Sequence, residues 1–261
     1  MTRNRGYKRD AFILAIFIII ASAITVIFNT NFLTSTMLFF ALPSFYLSYR
    51  ARGVIKKSAF FSLLFTIPLT TFLDYMAVLD KSWYVPNTVF GSRLFGIIPY
   101  EDYIWAFFFV YLIVVFYEYF LDNGIRGDRL SKKVLYMILL FNFLLFIFFL
   151  ILKVDPDLLH VEYFYLKGGI IVALTPLLLV FSFFPALLKK CFATVAYFSP
   201  LFLSFELSGL HANQWEFNEG KFVGFVGISG LRFPIEELVF WIILGSVWIL
   251  SYYEYFADDR N

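Results

Sequence analysis

The chain contains 261 residues, of which 61% are hydrophobic and only 15% are charged, so it has too little polar surface to cover a soluble globule of this size. The net charge of +2 is small and the basic residues are dispersed, which argues against nucleic-acid binding because that function needs Lys and Arg clustered on one face. One cysteine and two histidines that lie far apart exclude an internal disulfide and a Cys/His metal site. The composition indicates an integral membrane protein.

Long apolar segments predict eight membrane-spanning helices, because about 20 mostly apolar residues cross a hydrocarbon core about 30 Å thick. The predicted spans cover residues 11–28, 32–49, 58–79, 99–121, 133–152, 168–188, 192–211 and 234–256. The basic N-terminus resembles the start of a signal peptide, but no small-residue cleavage site followed by a soluble domain appears. We therefore expect a retained first span and an all-α integral membrane protein.

The basic residues between the spans predict the orientation of the chain, since cytoplasmic loops carry an excess of Lys and Arg. With the N-terminus in the cytoplasm, 15 of the 21 Lys and Arg residues fall on the cytoplasmic side. They lie before the first span, around 50–57, 126–133 and 189–190, and after the last span. The pattern predicts a multi-pass protein of the cell membrane with both termini cytoplasmic.

A short acidic motif occurs twice, each time at the start of a predicted span. Pro-Tyr-Glu-Asp covers 99–102, and Pro-Ile-Glu-Glu covers 234–237, 135 residues later. The two spans also close alike, on Tyr-Glu-Tyr-Phe-Leu-Asp and Tyr-Glu-Tyr-Phe-Ala-Asp. Because each half then holds four spans, an even number, the two sets run parallel in the membrane. We predict an internal duplication, with one transmembrane repeat over 1–127 and another over 128–261.

Each half carries a further acid near the end of the preceding span. Asp74 is followed nine residues later by Trp83, and Glu206 is followed nine residues later by Trp215. Three carboxyl groups per half therefore lie near one membrane face: Asp74, Glu101 and Asp102 in the first half, and Glu206, Glu236 and Glu237 in the second.

Acids inside membrane spans indicate function, because a charged side chain costs about 2.5–3.5 kcal/mol at a helix centre. Carboxyl groups buried side by side cannot all ionise, so one can stay protonated beside an ionised partner, as general acid and base catalysis requires. The structural alternative is an acid in the first helical turn, which stabilises the helix dipole by about 0.3–1 kcal/mol. Duplication, the two additional acids and the membrane setting favour the functional interpretation.

Aromatic side chains lie around these acids in the sequence. They include Trp83, Trp105, Trp215, Phe240 and Trp241. Their ring faces could stabilise a carbocation, by about 2 kcal/mol or more in a desolvated site. The alternative is an interfacial belt, where Trp and Tyr lie at headgroup level. For the tyrosines at 117, 119, 253 and 255 the belt is the preferred interpretation.

Other candidate sites are weaker. The glycines between 224 and 230 have neither the spacing nor the strand–helix context of a dinucleotide site. Arg93 and Arg232 shortly precede the motif prolines, so they are candidates to pair with the carboxylates or with lipid headgroups.

The quoted motifs and their upstream tryptophans resemble the membrane lycopene cyclase domain, which carries a Pro-x-Glu-Glu/Asp motif in each half. The resemblance covers roughly 60–121 and 195–256. It implies an isomerising cyclisation without net redox, in which a carboxylic acid protonates lycopene, the chain closes on the cation, and a base removes a ring proton. It also implies an apolar polyene substrate taken from the bilayer and no cofactor or metal.

The resemblance assigns the chemistry to the duplicated motifs. Glu236 and Glu237 are expected as acid and supporting base, with Glu101 and Asp102 in the partner role, and the assignment within each pair stays open. Asp74, Glu206 and the five aromatic residues named above are expected to support the substrate. A β-ring is the expected product. An ε-ring, the number of ends cyclised and a homo-oligomer all stay open.

Two other functions fit parts of the pattern. A proton-coupled transporter or channel would use the paired carboxylates as a relay, and acids in mid-span or broken helices would favour it. A prenyltransferase would require magnesium, and the sequence lacks two spaced Asp-rich motifs.

Overall fold

The computed structural model describes residues 2–122, 129–217 and 221–258, with side chains from residue 6 onward. The helices are α1 (Thr2–Phe28), α2 (Phe32–Arg50), α3 (Ile55–Leu79), α4 (Tyr100–Phe120), α5 (Val134–Val154), α6 (Phe164–Phe183), α7 (Pro185–Ala193), α8 (Val195–His211), α9 (Glu237–Ile243) and α10 (Gly245–Ala257). The expected boundary between the halves, at 127/128, lies outside the described residues, as do Arg126 and Arg260.

The described helices are those of a membrane protein. Six are long and apolar enough to cross a membrane, and the number rises to eight if each of two bent pairs forms one span. The pair α7–α8 bends by 47° and the pair α9–α10 by 60°. The second bend falls just before Gly245, where a Cβ atom would lie 3.1 Å from the Phe202 ring. The missing side chain therefore lets α10 pack closely against α8.

The sixth span differs from its predicted bounds of 168–188. It begins at Phe164 and ends at Phe183. Phe184 leaves the helical region, with φ −129° and ψ 63°, because a proline disfavours helical backbone in the residue before it. Gly169 lies inside the helix, where a Cβ atom would lie 2.2 Å from the ring of Phe240. Gly169 thus allows α6 to pack closely against α9.

A β-hairpin precedes each acidic motif, which the sequence reasoning did not predict. The first pairs β1 (Arg93–Leu94) with β2 (Ile98–Pro99), and the second pairs β3 (Phe225–Ile228) with β4 (Leu231–Pro234). Both turns use left-handed backbone, at Gly96 with φ 73° and at Gly230 with φ 84°, which glycine adopts without strain. Each motif proline is therefore the last residue of a strand that leads directly into the acidic helix.

The loops after α3 and α8 are joined to each other. Tyr84 and Glu216 form an antiparallel bridge, with N–H to carbonyl distances of 3.1 and 2.9 Å. These residues directly follow Trp83 and Trp215. The bridge therefore holds together the ends of the two helices that carry Asp74 and Glu206.

Candidate active site

One buried cavity brings acids of both halves together. It contains about 950 Å³ of empty space, counting its open mouth, and Asp74, Glu206 and Glu237 lie in its wall. All five tryptophans of the chain also line it: Trp83, Trp105, Trp215, Trp241 and Trp248. Phe240, the remaining aromatic residue expected from the sequence, lies in the same wall. The acids therefore face a chamber that is otherwise almost entirely aromatic and aliphatic.

The acids of the second half receive donors from neighbouring side chains. Trp215 Nε1 donates to the Glu206 carboxylate at 3.1 Å. Gly209 makes this contact possible, because a Cβ atom there would lie 1.9 Å from the Trp215 ring. Glu237 lies within electrostatic range of Glu206 and of the Tyr165 hydroxyl, and all three residues line the cavity.

The acids of the first half pair with each other. The Asp74 and Asp102 carboxyl groups lie close enough to interact, and Asp102 is fully buried. Neither Asp102 oxygen accepts a hydrogen bond from an N–H or a neutral hydroxyl of the described residues. A carboxyl–carboxyl hydrogen bond forms only when one of the two groups carries a proton.

The first acid of each motif binds backbone outside the cavity. Glu101 Oε1 accepts the N–H groups of Val89 and, at 2.9 Å, Phe90. Glu236 Oε1 accepts the N–H of Val223 at 2.7 Å. Both side chains are about 98–99% buried. Each therefore fixes the loop that leads into the hairpin before its own motif.

The two arginines near the motifs have other partners. Arg93 donates to the backbone carbonyls of Val85 and, at 3.1 Å, Ile97. The Arg232 guanidinium lies 5.0 Å from the centre of the Phe225 ring. Neither forms an ion pair with a carboxylate of the described residues, so direct pairing with the motif acids, one of the two alternatives, is not observed.

Sequence reasoning missed part of the cavity wall. Phe32, Phe164, Tyr165 and Trp248 all line the cavity. Phe32 and Phe164 are the first residues of α2 and α6, and the predicted start of the sixth span at 168 left Tyr165 in a loop. The signal available in the sequence was a tyrosine, Tyr165, just before a predicted span, on the same membrane side as the acids.

Asp80 fixes the start of α6. Its Oδ2 accepts the N–H of Phe164 at 3.2 Å, and His160 Nε2 lies 3.8 Å from its Oδ1. Burial raises the pKa of the Asp80 carboxyl above its ordinary value, although the Phe164 N–H and the His160 charge oppose the shift. This loop acid from the first half thereby holds the helix that carries Tyr165.

A second polar cluster lies at the opposite end of the helices. Tyr117 donates to Glu254, and Tyr253 donates to Glu118. Both tyrosines are fully buried, so the interfacial-belt interpretation is wrong for them. The two spans close on the same Tyr-Glu sequence, and each tyrosine binds the glutamate of the other span.

Three carboxylates of this second cluster lie close enough together to bind a cation. Ligand atoms of Glu118, Asp122 and Asp258 lie within 4.8 Å of one another. The Lys57 ammonium group lies 2.8 Å from Glu118 and 3.0 Å from Asp258. Lys57 therefore supplies one positive charge to the cluster, and Lys190, 3.4 Å from Asp122, supplies another.

Comparison with known families identifies the chain. A family model described as lycopene cyclase matches residues 23–120 and 168–256, well over half of the sequence. The chain belongs to the lycopene cyclase family. No curated protein and no solved structure gave a match.

Membership of the lycopene cyclase family implies an enzyme of carotenoid cyclisation and a carotenoid substrate. The matched ranges include every site residue expected from the sequence. Tyr165 and the whole of α5 lie outside them. The lycopene cyclase family model thus includes the duplicated acids but not the tyrosine beside Glu237.

Proposed function

We propose that the chain cyclises the linear end groups of lycopene, or of a similar carotenoid, without net oxidation or reduction. A carboxylic acid protonates the terminal double bond, the chain closes on the tertiary cation, and a carboxylate removes a proton from the ring. One proton enters and one leaves, so substrate and product are isomers. The shared cavity, in which acids of both halves face five tryptophans, is the observation that carries the proposal.

The Asp74–Asp102 pair is the proposed proton donor. These two carboxyl groups interact, and neither Asp102 oxygen has a hydrogen-bond donor among the described residues, so a proton on one of the two would let them pair. Asp74 lies in the cavity wall, where that proton can reach a substrate double bond. Asp102, which is fully buried, is the proposed ionised partner of Asp74 before the proton is transferred.

Glu206 and Glu237 form the proposed base. The Trp215 N–H and the Tyr165 hydroxyl point at their carboxyl groups, and hydrogen bonds to an ionised carboxylate favour the charged form. A protonated acid in the first pair and one ionised carboxylate in the second would give the division that general acid and base catalysis needs.

The aromatic wall supplies the remaining chemistry. Ring faces stabilise a nearby cation by about 2 kcal/mol or more when water is absent. Trp105, Trp241 and Trp248 stand next to Asp74 in this wall. Exclusion of water also protects the cation from hydration before the ring proton leaves.

An adjoining cavity is proposed to hold the polyene chain. It contains about 380 Å³ and shares Leu73, Asp74 and Trp105 with the main cavity. Ala106, Val110 and other mostly apolar residues of α3, α4 and α10 line the rest. A substrate whose end group occupies the main cavity can continue into this second space.

We also propose that the two halves are parallel repeats, in a cell membrane with both termini cytoplasmic. Reciprocal contacts between matching positions support the repeat: Tyr84 pairs with Glu216, and Tyr117 and Tyr253 each bind the other span's glutamate. Such exchange is expected of two similar units around a twofold axis. The distribution of Lys and Arg supports the orientation.

Expression in a lycopene-accumulating host, followed by chromatography of the pigments, tests the proposed activity. The wild type should convert lycopene to cyclic carotenoids, whereas Asp74→Asn and Glu237→Gln should leave lycopene unchanged. Glu162→Gln is the matched control, since Glu162 is exposed and pairs only with Lys221 among the described residues. Full conversion by both cavity variants would contradict the proposal.

The bent helix pairs favour a proton-coupled transporter as the second candidate, because broken spans are typical of transporter sites. The bend between α9 and α10 lies at Leu244, seven residues after Glu237. Substrate uptake into proteoliposomes driven by a pH gradient, without ring formation, would select this alternative.

A further inference from the structure

Tyr165 is held in the cavity wall by contacts that do not involve its hydroxyl group. It is the second residue of α6, whose start is fixed by the bond from Phe164 N–H to Asp80. Its ring packs edge-on against Phe217 and Phe222, with centroid distances of 6.0 and 5.7 Å. The position of the ring is therefore set by Phe217 and Phe222, in the segment after α8, and by Asp80 in the first half of the chain.

The hydroxyl of Tyr165 faces the acids of the proposed base. Tyr165, Glu237, Glu206 and Asp74 line the same cavity, and Glu237 is the acid with which the hydroxyl interacts most directly. Of the described residues that line the cavity, Tyr165 alone carries a hydroxyl group. Tyr165 therefore offers a neutral hydroxyl donor in the same wall as Asp74, Glu206 and Glu237.

The last step of the proposed cyclisation has two outcomes. After ring closure, the cationic ring carbon has two ring neighbours that carry hydrogen. Loss of a proton from the carbon that bears the polyene chain gives a β-ring, and loss from the ring methylene gives an ε-ring. A base must lie within about 3 Å of the proton that it removes, so the orientation of the carboxylate decides which proton leaves.

We propose that Tyr165 is a positioning residue that orients the Glu237 carboxylate toward one of these two ring protons. The inference rests on the proposed cyclase function and adds the determinant of ring type to it. The hydroxyl donates to one carboxylate oxygen, which leaves the other oxygen free to accept the proton. Without that bond the carboxylate can rotate and reach either carbon.

Tyr165→Phe is the direct test, because it keeps the ring contacts with Phe217 and Phe222 and removes only the hydroxyl. In purified protein reconstituted with lycopene, kcat should fall about tenfold or more, in line with the loss of a hydrogen bond to a charged group. KM should stay within about twofold, because no substrate contact is lost. The product should change from one ring isomer to a mixture of β- and ε-rings.

Tyr197→Phe is the matched control. Tyr197 is a tyrosine stacked on Phe116 at 4.9 Å, and its buried hydroxyl has no hydrogen-bond partner among the described residues. Its rate and product ratio should equal those of the wild type. If Tyr165→Phe fails to fold, Glu237→Asp carries the test, since a shorter side chain also breaks the contact and should change the ring ratio.

The outcomes separate the two proposals. A wild type that forms no rings would overturn the cyclase function itself. An active wild type whose Tyr165→Phe variant keeps the same kcat and the same single ring isomer would overturn the role of Tyr165 alone. An unchanged ring ratio in active Glu237→Asp would do the same.

Discussion

Each carboxyl group near the cavity has a different set of hydrogen-bond donors. Glu101 and Glu236 accept backbone N–H groups, whereas Glu237 interacts with a tyrosine side chain and Asp102 with another carboxyl group. Two adjacent acids in one motif thus have separate tasks, since the first holds the loop and the second faces its partner acid.

This division predicts unequal effects for the two acids of the second motif. Glu237→Gln should lower the rate of ring formation at least about 100-fold, as expected when a general base is lost. Glu236→Gln should keep most of the activity, because an amide oxygen still accepts the Val223 N–H. Rates of lycopene conversion by the purified variants measure the difference. Equal losses would mean that both acids take part in the chemistry, as the sequence motif suggests.

Gly209 gives a second prediction at the level of a single residue. A Cβ atom there would lie 1.9 Å from the Trp215 ring, so Gly209→Ala should displace the indole from Glu206 and lower activity. Gly53→Ala is the control, because a Cβ atom at Gly53 meets nothing within 4 Å. Conversion rates that are equal for both variants would exclude a role for the Trp215 contact.

At the level of the elements, α3, α4 and α10 enclose the second cavity. Ala106 lies in its wall and is 7% exposed. Ala106→Phe should fill this space and slow lycopene conversion while the protein still folds, because the added ring enters an empty volume. Ala11→Phe, on the exposed side of α1, is the control. Undiminished conversion by Ala106→Phe would show that the polyene takes another route.

The helices were predictable where apolar length alone decides the structure, and less so where a distant contact decides it. The spans now assigned to α3 and α4 needed only their composition. The start of α6 depends on Asp80, which lies 84 residues before Phe164. The hairpins before the motifs are too short for an alternating pattern, and their turns at Gly96 and Gly230 were visible only as glycines.

Across the whole molecule, the cluster around Lys57 joins the two halves at the end opposite the cavity. Lys57 is 1% exposed and binds Glu118 from one half and Asp258 from the other. Lys57→Met should lower the free energy of unfolding by about 3–5 kcal/mol, because it leaves buried carboxylates without their cation. Lys56→Met, at an exposed position, is the control. Equal stability of the two variants in denaturant unfolding would contradict this role.

The site, too, could be predicted from the sequence only in part. Of the acids expected from the duplicated motifs and the acid-to-tryptophan spacing, Asp74, Glu206 and Glu237 line the cavity, whereas Glu101 and Glu236 bind backbone outside it. The sequence did not separate Glu236 from Glu237, because adjacent positions in a motif differ only in the direction their side chains take in the fold. Tyr165 has no counterpart in either motif, so only the packing of α6 against α9 reveals it.

The central claim is that carboxyl groups in one shared cavity supply a proton to the polyene and remove another. Carboxyl protons exchange with solvent, so cyclisation of lycopene by the purified protein in D₂O tests the claim most directly, with the product analysed by mass spectrometry. The account predicts one deuterium in each ring formed and no change in mass for unreacted lycopene. Cyclic product without deuterium would contradict it.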